Sequence, residues 1–309
     1  MKLFKPEFWT KKISFFSILF LPFSLIYQIV FYIKNFVTKQ RNFKIPIICV
    51  GNIYLGGTGK TPLSLLIMKI LEQQGKKASI IKKYYPEHFD EHHMIQNYTD
   101  NLILNKNRLL ALEEAEKSGY DLAILDDGFQ DSSIKKNLSI LCFNSNQLIG
   151  NGFTFPSGPL RERMSSIKRA GIIMLNGKKN NSFEKKVKNI SNKVEIFYSN
   201  YKPINIEEFR DKKVFAFAGI GNPENFFSML IENDINIQKK IAFPDHYEFS
   251  RDEIKKIINE SLEKNFILLT SEKDYYRIKK YNFKDIRYVK MKLNIINEHK
   301  FLKTINNFI

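Results

Sequence analysis

Cysteine is almost missing from this chain. Only Cys49 and Cys142 are present, each inside an apolar run, so neither a disulfide framework nor a thiolate metal site is supported, and a reducing cytoplasm fits. Acidic residues are short as well, 32 against 49 Lys and Arg. The resulting net charge of +17 predicts attraction to polyanions, meaning nucleic acid, anionic lipid or a phosphorylated substrate. No RNA- or DNA-binding motif interleaves the basic residues with the aromatics, which sets nucleic acid aside as a partner. No internal repeat or low-complexity linker stands out. What the chain does have is apolar bulk. Its 309 residues are 43% hydrophobic, with 27 Phe and 14 Tyr, enough to bury one large core or two smaller ones.

Charge is also missing between Ile13 and Ile33, a stretch dominated by Phe, Ile, Leu, Tyr and Val. As a helix it would match the ~30 Å of a bilayer's hydrocarbon, although Pro22, Gln28 and the serines weaken it and a helix lying in the interface fits equally well. Up to residue 44, eight Lys and Arg stand against Glu7 alone, a charge suited to anionic headgroups. Residues 1–44 are therefore expected to form an N-terminal membrane-anchoring helix with basic flanks. A cleaved signal peptide is the competing reading, but no Ala-x-Ala-like site follows.

From residue 45 onward short apolar runs alternate with amphipathic ones. Strands are expected at 45–50, 78–81, 122–125, 139–143, 172–175, 194–198, 214–218 and 266–270, with crossover helices at 63–74 and 108–117. Continuous apolarity means burial on both faces, hence a parallel α/β sheet flanked by helices. The Lys- and Asn-rich stretch at 177–193 and the residues after it divide a domain at 45–204 from a smaller C-terminal α/β domain at 205–309.

The strongest chemical signal is Gly56-Gly57-Thr58-Gly59-Lys60-Thr61-Pro62, set between a strand and a helix. Glycines let backbone N–H groups close around phosphate oxygens, the helix N-terminus adds positive potential, Lys60 reaches the β/γ-phosphates and Thr61 is placed to ligate Mg²⁺. Tyr54 stands where the usual pattern has its first glycine, and Tyr54 and Leu55 are counted with 56–61 as nucleotide-binding. A glycine-rich strand-to-helix turn without a ligand is the plainer alternative. The sequence Asp126-Asp127-Gly128-Phe129-Gln130 closes an apolar strand; alone it is an ordinary turn, but behind a P-loop an acid there organises the metal. Gly158-Pro159-Leu160-Arg161-Glu162, Gly219-Ile220-Gly221-Asn222-Pro223, Asp245-His246-Tyr247 and Ser271-Glu272-Lys273-Asp274 each follow or flank a strand and are weak singly.

In this order the segments resemble the tetraacyldisaccharide 4′-kinase family, the lipid A 4′-kinases of Gram-negative bacteria, over nearly the whole chain. The resemblance implies a P-loop enzyme that moves the γ-phosphate of ATP to the 4′-hydroxyl of a lipid A disaccharide 1-phosphate. It works with Mg²⁺, at the cytoplasmic face of the inner membrane, with no obligate protein partner. It further implies Asp90 as the proton acceptor supported by His246, Lys60 and Asp126 as catalytic residues, and Thr61, Asp127 and Glu162 around the metal. The family usually has Ser-Arg-Gly-Tyr-Gly where this chain has Lys82-Lys83-Tyr84-Tyr85-Pro86, and usually has His where Asp131 stands. A deviant-Walker membrane ATPase of the partitioning or cell-division type is the rival. It shares Gly-Gly-Thr-Gly-Lys-Thr, but its distinguishing first lysine is here Leu55.

Overall fold

Apolar runs without polar interruption need cover on both faces, and such runs supply the central strands. A computed structural model describes residues 6–86, 89–244 and 247–309, the side chains of 89–91 excepted. In chain order the elements are α1 (Phe15–Leu19), α2 (Leu21–Val37), β1 (Ile47–Gly51), α3 (Lys60–Gln73), β2 (Ala78–Lys83), α4 (Phe89–Gln96), β3 (Leu102–Asn105), α5 (Arg108–Lys117), β4 (Leu122–Asp126), β5 (Leu138–Asn144), β6 (Ile172–Asn176) and α6 (Asn181–Ile190). Then follow β7 (Glu195–Pro203), β8 (Lys213–Ala218), α7 (Pro223–Glu232), β9 (Asn236–Ala242), α8 (Arg251–Glu263), β10 (Ile267–Ser271), α9 (Glu272–Ile278), β11 (Ile286–Val289), β12 (Met291–Ile296) and α10 (Glu298–Asn306).

The described residues fall into two units, the larger comprising 6–86, 98–201 and 293–309 and the smaller 89–97 and 202–292. The larger carries a sheet in the order β12-β7-β6-β5-β1-β4-β2-β3, and the seven strands from β7 to β3 run parallel. Every residue of β1, β4 and β6 is buried. Consecutive strands lie apart at β1, which sits between β4 and β5, so the C-terminal ends of β1 and β4 open a crevice of the kind in which parallel sheets bind ligands. In the smaller unit a parallel sheet runs β11-β10-β8-β9. One of its faces packs Phe215, Phe217, Phe249 and Leu268 together, and the other packs Phe226, Phe227 and Leu230.

The single membrane helix expected within residues 1–44 is not formed. Phe20 breaks the apolar run into α1 and α2, Ser14 caps α1 and Pro22 opens α2. No helix among the described residues is long and apolar enough to cross a membrane. Pro22 has no N–H to continue the ladder from α1, and the polar residues that follow have partners outside the helix. Ser24 donates to Thr154 O at 2.8 Å and accepts from Ser157 N at 3.0 Å, Gln28 Nε2 donates to Thr154 Oγ1 at 2.6 Å, and Tyr27 Oη donates to Arg161 O at 3.1 Å. One side of α2 is thus spent on polar contacts with the body of the larger unit. The other side and α1 leave Phe15, Phe23, Ile26, Val30 and Phe36 more than half exposed.

Candidate functional site

The turn after β1 is shaped by what its neighbours leave free. A Cβ on Gly51 would lie 2.5 Å from Phe129 Cβ, so glycine is what lets the 126–130 turn pack onto the end of β1. Asn52 Nδ2 then donates to Tyr54 O at 2.7 Å, Gly56 O at 3.1 Å and Thr58 Oγ1 at 3.0 Å. At the end of β6, Asn176 Nδ2 donates to Thr58 O at 2.9 Å and is itself oriented by Ser199 Oγ at 2.5 Å. Gly59 turns left-handed at φ 85° and α3 starts at Lys60. Tyr54 is 3% exposed within the core, and the Leu55 amide donates to Pro159 O at 2.8 Å, while Arg161 N donates to Ile53 O at 2.7 Å. Residues 53–55 thus form a short ladder with 159–161. The loop from Gly56 to Thr61 continues from there into α3.

The two adjacent aspartates take opposite environments. Asp126 is fully buried; its Oδ2 accepts from Thr61 Oγ1 at 2.8 Å and from Lys82 Nζ at 2.5 Å, and its Oδ1 from Ser64 Oγ at 3.3 Å. Asp127 sits at a positive φ of 59°, a conformation uncommon outside glycine, and its N–H donates to Val50 O at 2.9 Å. Its carboxylate lies 3.7 Å from Lys60 Nζ and receives Arg161 Nη1 at 3.1 and 3.2 Å, while Arg108 Nη2 donates to its carbonyl at 2.8 Å. Burial opposes ionisation of Asp127. The charges of Lys60, Arg161 and Lys82 outweigh it and hold the carboxyl well below the ordinary carboxylate range.

Glu162 is buried against Arg169, which also lies 4.4 Å over the Phe129 ring, and it accepts from Gln130 Nε2 at 3.1 Å. Burial raises its pKa despite the Arg169 charge. Lys60, Thr61, Asp126 and Asp127 are therefore brought to one crevice of the larger unit, with Lys60 facing Asp127 rather than Asp126, whereas Glu162 lines the cavity beside α2 with Arg169 and Lys136. Asp90 lies on α4, in the smaller unit, and its side chain is not among those described; His246 lies outside the described residues.

Sequence reasoning missed Asn52, Asn176 and Lys82 as parts of the site. Asn176 and Lys82 both stand at the C-terminal ends of parallel strands, and that position was the available signal. In the smaller unit, the Ser271-to-Asp274 motif has a bracing role. Asp274 Oδ2 accepts from Gly219 N at 2.9 Å and Ser271 Oγ at 2.6 Å, and Arg277 Nη1 spans Gly219 O at 2.7 Å and Asp274 Oδ1 at 2.8 Å, fixing the turn that precedes α7.

Residues 16–309 match the family described as LpxK, tetraacyldisaccharide-1-P 4′-kinase. A tetraacyldisaccharide 4′-kinase of Pelagibacter ubique is 43% identical over 302 residues, covering 96% of each chain. A protein of the same name from Rickettsia akari is 32% identical, covering 91% of this chain and 90% of its own. Among solved structures, LpxK of Aquifex aeolicus, described as an "apo" form in complex with ATP, superposes with a TM-score of 0.72 at 22% identity over 95% of this chain and 99% of that one, which establishes the shared fold.

Proposed function

The chain belongs to the tetraacyldisaccharide-1-P 4′-kinase family, and from that premise we propose that its crevice transfers the γ-phosphate of ATP to the 4′-hydroxyl of a membrane-borne lipid A disaccharide 1-phosphate. One observation carries the reading. Tyr27 of α2 donates to the carbonyl of Arg161, whose guanidinium holds Asp127 beside Lys60, so the phosphate-binding loop is tied to a helix whose outer face is apolar and exposed. A kinase for an amphiphile needs that connection. A cavity of about 960 Å³ beside α2, lined by Leu25, Ile29, Lys136, Arg163 and Arg169, offers apolar walls and cations together, as an acylated sugar phosphate requires.

Phosphoryl transfer asks mainly for alignment and charge neutralisation. The carbonyls of Tyr54, Gly56 and Thr58 are tied by Asn52 and Asn176, which leaves the N–H groups of the loop and the start of α3 to the nucleotide's phosphates. Lys60 would pass from Asp127 to the β/γ-phosphates, and Arg161 would keep Asp127 ionised. Magnesium fits the oxygen donors present here, the Thr61 hydroxyl and the Asp127 carboxylate, and would arrive with the nucleotide. Thr61, Asp127 and Glu162 are its proposed protein ligands, and the ion would spread the charge of the transferred phosphoryl group. Asp90 is proposed as the acceptor of the hydroxyl proton and His246 as its support. The α1–α2 segment is proposed to rest on the cytoplasmic face of the inner membrane without crossing it.

The reading is tested by the product. Phosphorus NMR of the lipid should show a second phosphomonoester on the 4′-oxygen of the disaccharide. ATP turnover stimulated by a plain bilayer or DNA, with no new phospholipid, would instead support the membrane ATPase.

A further inference from the structure

Lys82, the penultimate residue of β2, is in register with Asp126 on β4, and its side chain is only 7% exposed. Lysine is almost never buried so far without a partner, and burying an ion pair is costlier than burying an apolar pair of similar volume. Here the ammonium lies 2.5 Å from Asp126 Oδ2, the oxygen that also accepts the Thr61 hydroxyl at 2.8 Å. Its charge reaches Asp127 too, where it acts with Lys60 and Arg161. Lys60, Lys82 and Arg161 thus set three cations against the two carboxylates of the pair.

An ionised carboxylate beside Thr61 repels an incoming phosphate unless something cancels its charge, a task that a hydrated divalent cation performs in many phosphate sites. We infer that Lys82 is a resident cation of this site, a positioning residue that neutralises Asp126 and so lets the loop bind nucleotide phosphates with little help from a divalent cation. The inference rests on the loop being a nucleotide site.

Calorimetric titration of the full chain with ATP, in excess magnesium and again in excess EDTA, tests it. For the wild type the two dissociation constants should agree within about tenfold, since a cation is already in place. Lys82→Met should widen their ratio by roughly a further tenfold, the order expected when one charge is withdrawn within about 10 Å of a phosphate at an effective dielectric of about 20. Lys82→Arg, which keeps the charge, should hold the ratio near the wild-type one. Loss of wild-type binding by more than about a hundredfold in EDTA overturns the inference whether or not the Met variant folds. Equal weakening of both constants in Lys82→Met overturns it as well, because that is what a purely structural role produces. Absence of ATP binding under both conditions overturns the nucleotide reading itself, and this inference with it.

Discussion

Placing a single methyl group on Gly59 probes how far the loop is prearranged. At φ 85° the backbone is left-handed, which costs an L-residue roughly 1–2 kcal/mol. The new Cβ would also lie 2.0 Å from Asn176 Nδ2 and 2.8 Å from Tyr201 Oη. Asn176 cannot withdraw freely, because it is held by Thr58 O on one side and Ser199 Oγ on the other. Giving up those two hydrogen bonds costs about 1 kcal/mol each, so the total for Gly59→Ala is about 3–4 kcal/mol. The cost divides between global stability and nucleotide affinity, where about 2 kcal/mol equals roughly thirtyfold in the dissociation constant. Urea unfolding and ATP titration should be run on the same sample, with Gly57→Ala as the contrast. A Cβ at Gly57 has no neighbour within 4 Å, so its unfolding free energy should stay within about 0.5 kcal/mol of wild type. A Gly59→Ala protein matching wild type within about 0.5 kcal/mol in both measurements would refute the reasoning.

The Asp127 ion pairs predict an acid dependence. Its folded pKa lies below the unfolded value of about 3.9, so their stabilisation is full above that pH and is lost as pH falls toward the folded pKa. Asn tolerates a positive φ, so Asp127→Asn should be less stable than wild type near about pH 6, and the gap should begin to narrow as pH falls below about 4; a gap that widens on acidification contradicts the assignment. Ser24→Ala leaves Ser157 N without its acceptor in a buried position, while Thr154 O keeps the Gly158 amide at 3.0 Å, and should destabilise the seating of α2 by about 1–3 kcal/mol, seen as faster amide exchange at Ser157. Phe36, 81% exposed, should behave differently: Phe36→Asp leaves the unfolding midpoint unchanged and weakens flotation with anionic vesicles, and unchanged flotation counts against α1 and α2 as the membrane-facing surface.

The central strands were readable because parallel strands buried on both faces write themselves as unbroken apolar runs, as in Leu122–Asp126 and Ile172–Asn176. Strands β3, β9, β11 and β12 escaped that test. Asn236–Ala242 at the edge of its sheet alternates exposed and half-buried residues and carries two lysines, a pattern shared with loops and helix faces. The first 44 residues misled through composition. Ser17 and Ser24 look like blemishes in an apolar run until their partners at 151–157 are known, and those partners are more than a hundred residues away. At the site, local motifs named the phosphate loop and the two aspartates. The residues that orient them came from other strands: Asn176 from β6 and Lys82 from β2. Spacing along the chain cannot show such pairings; register across a sheet can.

The most direct measurement incubates the purified chain with γ-labelled ATP, Mg²⁺ and a detergent-dispersed tetraacyldisaccharide 1-phosphate, and follows label into the lipid fraction. The account predicts transfer to the lipid that falls by orders of magnitude in Lys60→Ala, the residue facing Asp127 at 3.7 Å. ATP hydrolysis without labelled lipid, or transfer that persists at the wild-type rate in Lys60→Ala, would contradict it.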